Sequence, residues 1–296
     1  PPWSPALRII ISLVYSIVCA VGLVGNLFVF YVMHSKQARK KSTINFYVLN
    51  LAVTDFQFVL VLPFWAVETG LDFNWPFGDA ICRIVSSLTL LNMYASVSFL
   101  TAMSVARYWA IASGLQARSR PAIFTPSWAS VFIWLTACAA SIPTAVFSTV
   151  VHVSGVSLCI TKFPEGEEFW LSVYNIQKIV LGFLLPLLII SICYQLLLRF
   201  LREKNPVGAK KPGRRLQGDP LHHCCGAVIL FVPFSNMYYT TQEYVYPVTL
   251  CLAHSNSCLN PLLYCLLRKD IRQSLRQLLW HQATSPKSRG YSNTDA

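Results

Sequence analysis

Apolar residues in this chain run in blocks rather than alternating. Five long blocks stand out, at about 7–33, 44–67, 80–110, 126–148 and 171–200, and a sixth at about 240–264. Each exceeds the roughly 20 residues needed to cross about 30 Å of hydrocarbon at 1.5 Å per residue. A lipid-embedded backbone must satisfy its polar groups internally, so only helices and closed barrels span a bilayer. The blocks lack the ten-residue alternation of barrel strands, so they predict transmembrane helices. After the last block, Leu267, Ile271, Leu275, Leu278 and Leu279 recur at helical spacing with Arg268, Lys269, Arg272 and Arg276 between them. That pattern predicts an amphipathic helix lying on a membrane surface. The polar remainder, 281–296, predicts a disordered tail.

Composition removes the soluble alternative. The chain is 54% hydrophobic and 12% charged, with a mean hydropathy of +0.49, against roughly 25% charged residues in soluble domains. Charge then orients it. Lys36, Arg39, Lys40 and Lys41 share a side with Arg107, Arg118 and Arg120, with the basic run from Arg199 to Arg215, and with the run from Arg268 to Arg289. Twenty of the 24 Lys and Arg fall there, which makes that side cytoplasmic. The net charge of +12 thus reflects topology and not nucleic-acid binding. The chain opens on Pro1 without a signal peptide, and the expectation is an outer tail that precedes it. Outside, Glu68, Asp72, Asp79, Glu165, Glu167, Glu168 and Glu243 outnumber Arg8, Arg83, Lys162 and Lys178. This excess either attracts a basic ligand or is a solvated rim.

One crossing is short. Some 37 residues separate Arg202 from the last block, and their best apolar run, Cys224 to Phe234, holds 11 residues including Pro233. That is about half a crossing. Without a crossing between them, one of the two basic clusters flanking this region would lie outside. The expectation is an all-α membrane protein: a seven-transmembrane helix bundle over 1–280 whose sixth helix, 203–235, is truncated or missing through deletion or mis-splicing.

Polar residues inside spans are expensive and mark function. Asp55 ends Leu-Ala-Val-Thr-Asp, and Asn26 lies in the first span. Asn92 and Ser96 are i, i+4 partners in the third, as are Asn256 and Asn260 in the last. Asp55 with these groups could coordinate a sodium ion through oxygen, or form a hydrogen-bonded network without one. Further markers are Arg107 with Tyr108 at the inner end of the third span, Trp134 in the fourth, Pro186 in the fifth, Asn260-Pro261-Leu262-Leu263-Tyr264 in the last, and Cys82 at the outer start of the third.

In this order and spacing the markers resemble the rhodopsin-like, G-protein-coupled receptors, over nearly the whole chain. The resemblance implies a bundle that binds an agonist outside and engages a G protein, and arrestin, inside. It implies an inner switch of Arg107, Tyr108, Tyr194 and Tyr264, helix kinks at Pro186 and Pro261, and a disulfide between Cys82 and Cys159. The other cysteines read as packing residues, with Cys265 a minor palmitoylation candidate. Two departures matter. Ala106 stands where the family has an acidic neighbour of the arginine. The family's Phe-x-x-Cys-Trp-x-Pro motif of the sixth span is absent, which puts signalling in doubt.

Trp65, Glu68 and Asp72 fall at i, i+3 and i+7 in Leu62–Asp72, one stripe if the second helix continues outward. Two carboxylates beside an aromatic suit a peptide carrying arginines, and Lys178 could hold a peptide C-terminal carboxylate or snorkel to the interface. The stripe, with Cys-Leu-Ala-His-Ser-Asn-Ser-Cys-Leu-Asn-Pro at 251–261, resembles the relaxin-family peptide receptors that lack a leucine-rich ectodomain, those for relaxin-3 and insulin-like peptide 5. That implies peptide contacts at Trp65, Glu68, Asp72 and Lys178, inhibitory G-protein coupling and a plasma-membrane location with the N-terminus outside. Chemokine and angiotensin receptors share Leu-Pro-Phe-Trp and are the alternative. A non-signalling truncated product is another. The last span holds no Schiff-base lysine, no repeat suggests a transporter, and no acid pair or metal motif suggests an enzyme.

Overall fold

The computed structural model describes residues 5–34, 43–115, 125–153, 155–164, 166–204 and 257–261. The helices are α1 (Pro5–His34), α2 (Thr43–Val59), α3 (Leu62–Gly70), α4 (Gly78–Leu115), α5 (Pro126–Phe147), α6 (Glu167–Ile179) and α7 (Leu185–Lys204). Strands β1 (Ser148–Val153) and β2 (Val156–Thr161) lie between α5 and α6. Five helical segments are long and apolar enough to cross a membrane: Arg8–His34, Thr43–Gly70, Gly78–Ala112, Pro126–Phe147 and Glu168–Phe200. They match the five long apolar blocks. A helical turn at 257–261 represents the last block. The expected sixth helix, the amphipathic helix and the tail lie outside the described residues.

Prolines explain why two spans are each built from two helices. Pro63 has no N–H to donate to the carbonyl of Val59, so the α-helical ladder stops at α2 and restarts at α3. Val61 and Phe64 close the joint with tighter bonds to Phe58 and Val61 at 3.0 and 3.1 Å. The released Val59 carbonyl accepts from the Cys19 thiol of α1 at 3.4 Å. In the fifth span, Pro186 cannot donate to the carbonyl of Gly182. The helix widens just before it into a π-turn over Val180–Leu184, where the Leu185 N–H reaches the Val180 carbonyl. A π-turn beside Pro186 is thus the form the expected kink takes.

α1 packs closely because it is glycine-bearing. A Cβ at Gly22 would fall 2.7 Å from Val59 Cγ1, and one at Gly25 would fall 2.8 Å from Pro261 Cβ. The opposite face, with Ile9, Leu13, Ile17, Val24 and Tyr31 exposed, is the surface a bilayer would cover. Two apolar clusters fill the interior. One surrounds Tyr47, Leu51, Phe99 and Met103, and the other surrounds Tyr15, Leu62, Trp75 and Val85 at the end that the distribution of basic residues assigns to the outside, called the outer end. Trp134 packs edge-on to Phe99 at 5.9 Å and donates to Asn50 at 3.0 Å, tying the fourth span to the second.

The outer connection after α5 is not plain loop. β1 and β2 pair antiparallel from Ser148↔Thr161 to Val153↔Val156. The β-branched run Thr149-Val150-Val151 and Gly155, at φ +84°, suit a hairpin. The strictly all-α expectation therefore gains one hairpin, held over the outer mouth by the Cys82–Cys159 disulfide.

Candidate functional site

The outer mouth is assembled from the end of α3, the turn behind it, the start of α4 and the hairpin. Asp79 at the first turn of α4 accepts from Thr149 Oγ1 at 2.7 Å and from the Val150 N–H at 3.0 Å. Its second oxygen takes Arg83 Nε at 2.9 Å. On the β2 side, the Trp75 N–H donates to the Ser157 carbonyl at 2.7 Å, and the Ser157 N–H donates to Asn74 Oδ1 at 3.0 Å. The disulfide, Asp79 and Asn74 thus hold the hairpin by three links, two of them at the Val150–Cys159 pair. Asp79 belongs to this scaffold, so it does not count among the acids available to a basic ligand.

The proposed recognition stripe is only half a stripe. Trp65 and Glu68 lie on α3. The Trp65 indole donates to Thr89 Oγ1 at 3.1 Å and stacks at a tilt 5.8 Å from Trp75. Glu68 is 8% exposed and makes no ion pair among the described residues. But α3 ends at Gly70. The Phe73 N–H returns to the Glu68 carbonyl at 2.9 Å, and Asp72 and Phe73 both take φ +61°. This tight left-handed turn carries Asp72 off the helix face, so the i+7 relation does not hold. Asp72 instead meets Arg8 of α1, Oδ1 to Nη1 at 3.3 Å.

Lys178 lies on α6, the helix that opens the fifth span. Its ammonium sits 4.2 Å from the centre of the Tyr174 ring, a cation–π distance. Tyr174 is buried, bonded to Thr144 Oγ1 at 2.7 Å and edge-on to Phe163 at 5.7 Å. Beside it, Gln177 donates to the Ala140 carbonyl at 3.0 Å. Lys178 is therefore aimed over an interior aromatic ring, and no ion pair among the described residues joins it to Glu68 or Asp72. A ligand with cationic and anionic ends would meet separated counter-charges here. Arg8, Thr89 and Tyr174 were not readable as site residues, because their roles depend on contacts between different spans.

Deeper in the bundle, Asp55 is fully buried. Its Oδ1 accepts from Asn92 Nδ2 at 3.2 Å and Ser96 Oγ at 3.3 Å, and its Oδ2 from Asn260 Nδ2 at 2.7 Å. Ser257 adds a further side-chain hydrogen bond. Thr54 pairs with Ser96 at 2.9 Å, and Asn26 donates to the Ser257 carbonyl at 3.2 Å. The structure thus brings Asp55, Asn92, Ser96 and Asn260 together as expected, and adds Ser257 and Asn26. Asn256 lies outside the described residues. Among the described residues, Asn26 Oδ1 and Asn260 Oδ1 are buried without a hydrogen-bond donor. Two spare oxygens in a network centred on a carboxylate fit a small hard cation or a water.

At the inner end, Arg107 and Tyr108 are half-buried on α4, with Tyr108 edge-on to Trp109 at 5.8 Å. Tyr194 is half-buried on α7, which packs along α4. Ala106 packs against the inner apolar cluster. Tyr264 lies outside the described residues.

The profile of the seven-transmembrane receptors of the rhodopsin family matches residues 25–264. The chain is 46% identical to relaxin-3 receptor 1 of Mus musculus, covering 94% of this chain and 70% of that protein. It is 41% identical to relaxin-3 receptor 2 of Homo sapiens, over 94% of this chain and 80% of that protein. It is 33% identical to the type-1 angiotensin II receptor of Bos taurus, over 96% of this chain and 84% of that protein. The mouse alignment runs over 332 positions, more than the 296 residues present here. Dozens of its positions therefore have no counterpart in this chain.

Proposed function

The chain belongs to the rhodopsin family of seven-transmembrane receptors, and from that membership we propose that it is a plasma-membrane receptor for a basic peptide hormone of the relaxin-3 or insulin-like peptide 5 kind. The observation that carries this reading is the 46% identity to a relaxin-3 receptor, joined to an outer mouth that keeps acids and a cation apart. Arginines of the peptide approach Glu68 and Asp72 with Trp65 beside them, and its C-terminal carboxylate approaches Lys178. Labelled relaxin-3 and insulin-like peptide 5, applied to intact cells expressing the chain, test it. Glu68→Ala is expected to weaken binding about thirty-fold or more, the ~2 kcal/mol lower end for losing a charge-paired carboxylate. Binding untouched by both Glu68→Ala and Asp72→Ala would discard the site.

Inside the cell the partners are an inhibitory heterotrimeric G protein and arrestin, reached through Arg107, Tyr108, Tyr194 and Tyr264. Ala106 stands beside Arg107 where the family has an acid, and a carboxylate at that position would add an ion pair to hold the arginine. Ala106→Asp is expected to lower basal G-protein activation, and an unchanged basal level at equal surface expression contradicts this. A sodium ion in the Asp55 cradle, held by oxygens of Asp55, Ser96 and the asparagines, would steady the bundle between the two ends.

A second reading is a receptor that reaches the membrane but does not signal. It is favoured by the alignment longer than the chain and by the 11-residue apolar run at Cys224–Phe234. A tag at the C-terminus separates the cases. Accessibility only after permeabilisation is expected for seven crossings with the N-terminus outside, and labelling of intact cells would remove the sixth crossing.

A further inference from the structure

Arg8 deserves a role of its own, because it sits on a residue the hormone is proposed to use. We infer that Arg8 is an internal competitor for Asp72, occupying the carboxylate that an arginine of the arriving peptide must take. This rests on the proposed peptide site.

The geometry that presents Asp72 to Arg8 is built in. The left-handed turn at Asp72 and Phe73 takes the carboxylate off α3. One turn further along α1 from Arg8, Ser12 Oγ donates to the Ala66 carbonyl at 2.9 Å, so this face of α1 is clamped to α3. The Arg8 side chain is 21% exposed and that of Asp72 44% exposed. The inner partner is therefore the guanidinium, and the carboxylate keeps an open side toward the outer medium.

The pair is also incomplete. A single contact, Nη1 to Oδ1 at 3.3 Å, joins the two groups. Arg8 Nε is buried with no hydrogen-bond partner among the described residues, so the fork-to-fork geometry that makes arginine–carboxylate pairs strong is not formed with Asp72. An arginine entering from the open side can offer two parallel N–H groups to the same carboxylate. A lysine offers a point charge and cannot. Exchange thus favours arginine over lysine in the peptide, and it costs the ligand whatever the resident pair is worth. For a partly exposed pair that is a factor of up to about five in affinity.

The experiment measures binding of labelled relaxin-3 to intact cells, per surface-tagged receptor, for the parent, Arg8→Gln, Arg8→Met, Asp72→Asn and the Arg8→Gln/Asp72→Asn double variant. Either Arg8 variant is expected to tighten binding about three- to five-fold, and more at low salt than at high salt. Arg8→Met keeps the apolar stem and serves if Arg8→Gln does not reach the surface. In the Asp72→Asn background, removing Arg8 is expected to change nothing, since its target is gone. If Asp72→Asn weakens binding but neither Arg8 variant tightens it, Arg8 does not compete and the inference falls while the peptide site stands. If the parent takes up no probe, or neither Asp72→Asn nor Glu68→Ala weakens binding, the peptide site falls and takes the inference with it; if Asp72→Asn alone binds as the parent does, Asp72 is not the contested carboxylate and the inference falls by itself.

Discussion

Replacing Cys159 with serine is expected to abolish high-affinity peptide binding at the cell surface. The Cys82–Cys159 bridge closes a segment with a sequence separation of 77. A loop of that length is worth roughly 4–5 kcal/mol against a fully unfolded chain. Spans that stay inserted already restrict the loop, so about 3 kcal/mol is the expected loss, more than a hundred-fold in the population of the closed mouth. Its position magnifies this. Cys159 pairs in register with Val150, the residue whose N–H is held by Asp79, so bridge and carboxylate fix the same point of the hairpin. Asp79→Asn keeps the bridge and weakens only the hydrogen bonds, and it is expected to cost about ten-fold or less. Binding to the Cys82→Ser/Cys159→Ser pair should match the single variant. Full affinity in Cys159→Ser, at equal surface density, would show that Asp79 and Asn74 hold the hairpin unaided.

The parts of this receptor that could be read from sequence are those set by scarcity. Asp55 is an acid inside an apolar block, where a carboxylate must find donors on neighbouring spans, and Asn92, Ser96 and Asn260 meet it. Length and hydropathy likewise place five helices, because the bilayer admits few alternatives. What depends on local backbone geometry was hidden. Trp65, Glu68 and Asp72 share a helical face only if the helix continues, and nothing in Gly70-Leu71-Asp72-Phe73 announces two consecutive non-glycine residues at φ +61°. Such conformations are rare enough outside glycine that propensity argues against them. The turn survives because it returns the Phe73 N–H to Glu68 and places the Asp72 carboxylate by Arg8. The hairpin was hidden for a related reason, since six-residue strands are short against long apolar helices and pair only where the disulfide and Asp79 anchor them.

The same contrast separates the rim of the molecule from its centre. The outer mouth uses charges at the rim, with Asp72 44% exposed, where each pair is weak and exchangeable. That suits a surface that must trade internal partners for those of a ligand. The centre uses a carboxylate with no exposure at all, where every hydrogen bond counts and none can be replaced by bulk water. Substitutions at the rim should therefore change affinity with little change in stability, and substitutions at the centre should do the reverse.

Asp55 is where that rule has its largest consequence. Asp55→Ala strips the acceptor from Asn92, Ser96, Asn260 and Ser257 together. Each buried donor left unsatisfied costs about 1–3 kcal/mol. Some keep another partner, as Asn92 does in its bond to Ser96 at 3.1 Å, so a net loss of about 3–5 kcal/mol is expected, read as lost surface expression and early thermal inactivation in detergent. Asp55→Asn keeps the volume and one carbonyl oxygen but turns an NH₂ toward asparagine donors, so it should fold with a smaller loss. It also separates the network from the ion. If sodium occupies the cradle, sodium chloride should raise the thermal inactivation temperature of the parent relative to choline chloride at equal ionic strength. Asp55→Asn, without the negative charge, should show no such difference. An equal sodium response in parent and Asp55→Asn would place any ion elsewhere, and no response in either would leave a hydrogen-bonded network as the whole function of Asp55.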